Sequence, residues 1–273
     1  MAKTRSYVRD SQGMIKYDGA QTWDFIYSQT SAKDARFNYG DTFTLPDGRV
    51  FKYGNTVGAC LSGFGASNAS GTVNMSVAMP GSIVAGDRTA TITVASGDGY
   101  AADGLVAKDE LAGGYFVTGH GASTVQNRQI IANAAVASGG GTCLVTVDGP
   151  FSNALTTPFT EVVLNPYRYL IRGVGAASTE YHAVMGVPAL NVTSTYKAWF
   201  QSWGPCWVTP GGDDATPGSS QDDRMAYFVG DGSVNFGTFI LSEARGHQTA
   251  GFCIDQTSGS ATALPLIMLQ ISI

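Results

Sequence analysis

The side chains that could do chemistry here are three histidines, two acidic pairs and four cysteines. His120 stands between Gly119 and Gly121 and could bind a metal ion only if distant carboxylates converged on it. His182 is isolated. Glu243 and His247 are four apart, which on a helix would set them on one face as half of a metal site; Gly246 interrupts that helix and no second histidine follows. Asp213 with Asp214, and Asp222 with Asp223, offer hard oxygen ligands but lack the alternation of a calcium loop, so a solvated acidic loop is expected. Cys60, Cys143, Cys206 and Cys253 are far apart, none in a CxxC, and each lies among apolar neighbours. Buried free thiols are expected, with two disulfides as the alternative an even count allows. The glycine pairs Gly63/Gly65, Gly119/Gly121 and Gly173/Gly175 begin like phosphate-cradling loops, but none has the third glycine or a following helix. Sequons at Asn68, Asn74 and Asn191 are expected by chance. No catalytic residue, metal site or cofactor is assigned from these patterns, and the chain is read as not an enzyme.

The stretch that does stand out is Thr195 to Pro210, TYKAWFQSWGPCWVTP, which holds Trp199, Trp203 and Trp207. In an extended chain Trp199 and Trp203 share one face and Tyr196, Ala198 and Phe200 the other. Rings on both faces imply a strand covered twice, by a second layer or by another subunit. Gly204 and Pro205 are expected to interrupt it. A second aromatic cluster, Trp23, Phe25, Ile26 and Tyr27, follows an N-terminal segment with little periodicity. Either an arm laid along a neighbouring subunit or a strand closing the chain's own sheet fits it. Trp23, Phe25, Tyr27, Trp199, Trp203 and Trp207 are therefore the interface candidates.

The elements around these stretches read as strands. Thr42–Leu45 and Arg49–Tyr53 flank Pro46-Asp47-Gly48, a hairpin signal. Thr72–Met79, Arg88–Ala95, Gly113–Thr118, Arg128–Asn133, Thr142–Val147 and Glu161–Leu164 follow, while 59–70, rich in small residues and glycine, reads as a loop. Beyond Asn165-Pro166, strands are expected at 169–171, 181–187, 236–241, 251–254 and 264–271, the last with apolar side chains on both faces. Strands of five or six residues at spacings near a dozen predict a mainly β chain: antiparallel β-barrel or β-sandwich units with little helix. The expected division is an N-terminal arm over 1–40, a barrel or sandwich domain over 41–166 and a second β-rich domain over 167–273.

Composition supports packing over solvation. Charged residues are 14% of the 273, well below the roughly 25% usual for soluble domains, and 44% are hydrophobic, enough to offset chain ordering. A surface with so few charges suits a protein partly buried against copies of itself. With a net charge of −5 and no Lys/Arg run, nucleic-acid binding is not expected. No run of eighteen apolar residues suggests a membrane span, and MAKTRSYVRDSQGMIKY lacks the apolar core of a standard signal peptide.

Taken in series, DGRVFKYG at Asp47–Gly54, AGGYFVTGHG at Ala112–Gly121, RQIIAN at Arg128–Asn133, NPYRYLI at Asn165–Ile171, YKAWFQSWGP at Tyr196–Pro205 and LPLIMLQI at Leu264–Ile271 resemble virion structural proteins of tailed bacteriophages, of the head-decoration or minor capsid type. The chain departs from that pattern at Cys206 and Trp207, where smaller residues are usual, and in the acidic Gly211–Asp223 stretch. The resemblance implies a noncatalytic protein of the virion capsid, assembled in many copies in the host bacterial cytoplasm. Its implied partners are copies of itself, a closed trimer being one form, and the major capsid protein. A receptor- or carbohydrate-binding tail protein and the protomer of an extracellular filament stay open as alternatives.

Overall fold

A computed structural model describes residues 7–9, 15–17, 23–68, 74–77, 82–120, 125–155, 159–173, 183–211, 224–237, 248–255 and 265–271. The chain opens with β1 (Tyr7–Arg9), β2 (Ile15–Tyr17), a 3-10 turn at Trp23–Tyr27, β3 (Thr42–Thr44), β4 (Val50–Asn55) and β5 (Ala66–Asn68). Next come β6 (Asn74–Val77), β7 (Thr89–Val94), β8 (Tyr115–His120), β9 (Gln126–Asn133), β10 (Gly141–Val147) and β11 (Phe159–Val163). It continues with β12 (Leu170–Arg172), β13 (Val184–Pro188), β14 (Lys197–Trp207), β15 (Met225–Phe228), β16 (Val234–Phe236), β17 (Thr249–Asp255) and β18 (Leu266–Gln270). The fold is nearly all β, built of two curled, predominantly antiparallel sheets.

These strands form two compact units. The first combines Met1–Ala69 with Tyr167–Ile273; the second is Ser70–Pro166. The units therefore divide the chain between Ala69 and Ser70 and between Pro166 and Tyr167. β4 pairs with β14 from Lys197↔Asn55 to Trp203↔Val50, so residues 42–55 belong to the sheet of the C-terminal segment. A boundary drawn from local texture misses such pairing because the partners lie some 150 residues apart in sequence.

In the first unit the sheet runs β1-β2-β3-β4-β14-β18-β17-β15-β16, with β12, β5 and β13 branching from it through β13 onto β14. The hairpin signal is realised: Thr44 pairs with Val50, and Gly48 takes the positive φ of 86° that closes the turn. β5 falls in the stretch expected to be a loop. Ala-Ser-Asn carries no strand signature, yet Ser67 is fully buried between β12 and β13, and small side chains are what let those backbones approach. Arg172 stacks its guanidinium 3.9 Å from the Phe64 ring centroid and pairs with Asp231 at 3.2 Å, tying this branch to the β15–β16 turn.

The second unit is one sheet, β6-β11-β8-β9-β10-β7. Its alternation is the one the sequence announces: Ala90, Ile92 and Val94 of β7 point inward with Cys143, Val145 and Val147 of β10. Phe116 and Phe151 meet edge-on at 5.7 Å within this core. Asn133, 4% exposed, accepts from Leu111 N at 2.8 Å and donates to Ala107 O and Ala134 O, so the 107–111 turn is held by a fully satisfied buried amide.

Candidate interaction surface

β14 organises the first unit, and its two faces have different fates. The even-numbered side chains from Ala198 to Cys206, with Val208 beyond, are all buried. Ala198 and Phe200 pack with Cys60, Ala66, Leu170 and Val192, whereas Cys206 and Val208 pack with Val184, Phe228, Ile267 and Leu269. The odd-numbered side chains do not keep to one face: Gln201 pairs with Phe51 but Trp203 with Val50, so beyond this register shift they lie on the side that Phe200 occupies before it. Trp199, 2% exposed, is enclosed by Phe25, Phe37, Phe43 and Tyr53, whose ring centroids lie 5.1 to 5.8 Å from its own. Trp203 is half-buried, Pro205 is exposed, and Trp207 is 56% exposed.

Strand pairing extends this uncovered end into a surface. Pro205 pairs with Met268, Met268 with Phe252, and Phe252 with Met225, a row of four apolar residues across β14, β18, β17 and β15. Paired residues of antiparallel strands share a face. The neighbouring row carries Trp207 paired with Leu266, and Ile254 emerges at the adjacent β17 bulge. Met225, Phe252 and Ile254 are 46 to 49% exposed. The opposite side of the same strands, Ala226, Gly251, Leu269 and Gly204, is buried. Large apolar side chains thus stand on both sides of these strands, Phe228, Ile267 and Leu269 inward and Phe252, Met225 and Trp207 outward, the pattern of a sheet covered on both faces. Side chains of this size and exposure present roughly 600 Å² of apolar surface, the top of the range of about 300–600 Å² for the largest patch on a monomer.

The edge beside this face is closed to strand addition. Ser202 O accepts from Ile271 N, and Val208 N donates to Pro265 O, so even-numbered backbone groups face β18 and odd-numbered ones face the edge that β4 leaves after Val50. On that edge Pro205 has no N–H. Gln201 folds back and donates through Nε2 to the carbonyls of Trp203 (3.1 Å), Gly204 (3.3 Å) and Pro205 (2.8 Å). The register shift between Gln201 and Trp203 precedes the last β4 pair, Trp203 with Val50, and Gly204, at φ 93°, lies against Arg49 just beyond it. The expected interruption at Gly204-Pro205 is thus absent: β14 runs through it, exchanging β4 on one side for β18 on the other. At the far end of the sheet, Val234 N donates to Thr209 O and Gly211 N to Val234 O, covering β16 in the same way.

The structure divides the six interface candidates. Trp199 is buried in the chain's own aromatic cluster beside the fully buried Ile26, and Phe25 packs against that cluster half-buried. Ile26, Phe37, Phe43 and Leu45 are thus packed against the chain's own sheet. Tyr27, half exposed, hydrogen-bonds Arg49, which also pairs with Asp47 at 2.8 Å. Trp203 and Trp207 lie on the open half of β14, and Trp23 opens the 3-10 turn with its side chain outside the described residues. Met225, Phe252 and Ile254 were not among the candidates. The alternation Phe252-Cys253-Ile254 marks a two-faced strand, but only the register shows that its bulky side aligns with Trp207.

No protein-family model matches this chain, and no curated protein or solved structure is significantly similar to it.

The groups first singled out for chemistry lie elsewhere. His182, His247, Glu243 and the acidic pairs at 213–214 and 222–223 are outside the described residues, as is the His120 side chain at the end of β8. Among the described residues no cluster of three His, Cys, Asp or Glu side chains could hold a metal ion. The four cysteines are free thiols. Burial raises Cys60 from the ordinary thiol value of 9.0 to about 12, and Cys206 likewise to about 12 with a small opposing pull from Arg49. A thiol held protonated is a poor nucleophile. A thiol-reactive disulfide reagent at pH 8 should leave Cys60 and Cys206 unmodified until denaturant is added; prompt native-state reaction at either would contradict their burial. Because the folded state binds these protons more tightly than the unfolded one, their stabilisation is complete below pH 9 and is lost as pH rises from 9.0 towards 12. Cys206→Ala should accordingly flatten the fall of Tm over that window, whatever its effect at pH 7.

Proposed function

We propose that this chain is a noncatalytic structural subunit of a tailed-bacteriophage particle, of the head-decoration or minor capsid type, holding neighbouring subunits through the uncovered face of β14, β18, β17 and β15. The observation that carries this reading is the aligned apolar row Pro205, Met268, Phe252 and Met225, with Trp207 and Ile254 beside it. Burying such a face contributes about 25 cal/mol per Å² before association costs, and repetition over many copies makes modest contacts durable. The stretches that carry the phage resemblance form central strands: YKAWFQSWGP and LPLIMLQI are the adjoining β14 and β18, DGRVFKYG is the turn into β4, and AGGYFVTGHG leads into β8. The partners under this reading are further copies of the chain and the major capsid protein, and its place is the virion capsid.

The two alternatives fit the surface less well. A sugar platform pairs a ring with hydrogen-bonding groups, whereas Trp207 is bordered by Leu266, Pro205 and Ile254. A filament built by donated strands needs open edges, and Pro205 with Gln201, and the 209–211 segment beside β16, close two of them. Mass spectrometry of purified particles, from the bacteria whose phage genome encodes the chain, should find it in tens of copies or more per particle. Its absence from particles that are otherwise complete would overturn the proposal.

A further inference from the structure

We infer that the occupant of the open β14–β18–β17–β15 face is the same face of a second copy of this chain, the two sheets packing face to face about a twofold axis. The inference rests on reading this face as an assembly surface and adds the identity of the partner. Three observations carry it. First, the face is complementary to itself: its residues are Pro205, Trp207, Met225, Phe252, Ile254 and Met268, while ionisable groups of both signs, Arg224 beside Met225 and Asp255 opposite Leu266, stand at its margins. Apposing two copies buries no lone charge at the centre, and a margin of mixed sign favours neither repulsion nor a strongly charged foreign partner. Second, the area is adequate. Roughly 600 Å² on each copy gives about 1,200 Å² in total, the lower bound of the range of about 1,200–2,000 Å² for stable specific interfaces. Third, the mode is dictated by the edge. With the β14 edge capped by Gln201 and lacking an N–H at Pro205, two copies cannot continue one sheet there, but two sheets can stack with side chains interdigitating about 10 Å apart.

The test uses the purified full-length chain. Sedimentation velocity from 1 to 100 µM should show the dimer mass, or an even multiple of it, for the wild type. Phe252→Asp, which puts a charge at the centre of the row, should weaken association at least a hundredfold and sediment as monomer across the same range, with an unchanged far-ultraviolet spectrum. Should Phe252→Asp not fold, Ile254→Asp at the β17 bulge gives the same reading. A wild type that stays monomeric, a variant that keeps the dimer mass, or failure of both variants to fold would each overturn the inference, the last by showing that these side chains serve the chain's own core. A monomer in solution that is nonetheless found in many copies per particle would refute self-pairing while leaving the structural role standing.

Discussion

Trp199→Ala is expected to destabilise the first unit by about 3–5 kcal/mol, the usual cost of emptying a large aromatic site in a packed core. The indole is 2% exposed and touches four rings at centroid distances of 5.1 to 5.8 Å. Phe37, Phe43 and Tyr53 are themselves buried, and they come from two strands and a turn. They cannot all move into the void without giving up their own pairing. At roughly 2–4 °C per kcal/mol for a unit of this size, the midpoint should fall by about 10 °C or more in scanning calorimetry. Trp207→Ala, eight residues along the same strand but turned to the opposite face by the register shift between Gln201 and Trp203, removes a ring that is 56% exposed and should cost less than about 1 kcal/mol in the monomer. The contrast is the informative result. Equal losses from the two substitutions would mean that both ends of β14 are covered by the chain itself.

Removal of the whole second unit should leave the first intact. The chain departs from the first unit after β5 and returns in β12, and these strands are antiparallel neighbours with Asn68 opposite Leu170 and Ala66 opposite Arg172. Paired positions of this kind lie about 5 Å apart, so residues 70–166 enter where an ordinary hairpin turn would serve. The return path is anchored in the first unit: Asn55 N donates to Tyr167 O and Asn55 Nδ2 to Arg168 O, and the Arg168 guanidinium stacks over Tyr39 at 5.6 Å. Replacing 70–166 by a four-residue Gly-Ser turn should therefore give a soluble protein that keeps the calorimetric transition sensitive to Trp199→Ala and loses the other. A short loop also closes at less entropic cost than a long one. Aggregation of the shortened chain, or loss of its near-ultraviolet signal, would contradict the division into units.

Much of this architecture is legible in the sequence where strands carry their own evidence. Ala90, Ile92 and Val94 alternate with threonines, Pro46-Asp47-Gly48 marks a turn, and LPLIMLQI announces a central strand; each forms as read. What is not legible depends on partners remote in sequence. Ala66-Ser67-Asn68 is a strand because β12 and β13 flank it, not because of its own propensity. Gly204-Pro205 reads as a break, but the β4-to-β18 exchange and the Gln201 amide accommodate both residues inside a continuous strand. The candidate surface was half visible. Periodicity shows that β14 has large rings on both sides, but only the fold shows that Phe25, Phe37 and Phe43 cover one end and leave Trp207 at the other.

The central claim is that the outward side chains of β14, β18, β17 and β15 exist to be covered by another molecule. An electron cryo-microscopy map of the chain in its assembled state tests it most directly. The account predicts side-chain density from a neighbouring subunit within about 4.5 Å of Trp207, Phe252 and Met225. A map in which those three side chains face open solvent while the assembly is held by other surfaces would contradict it.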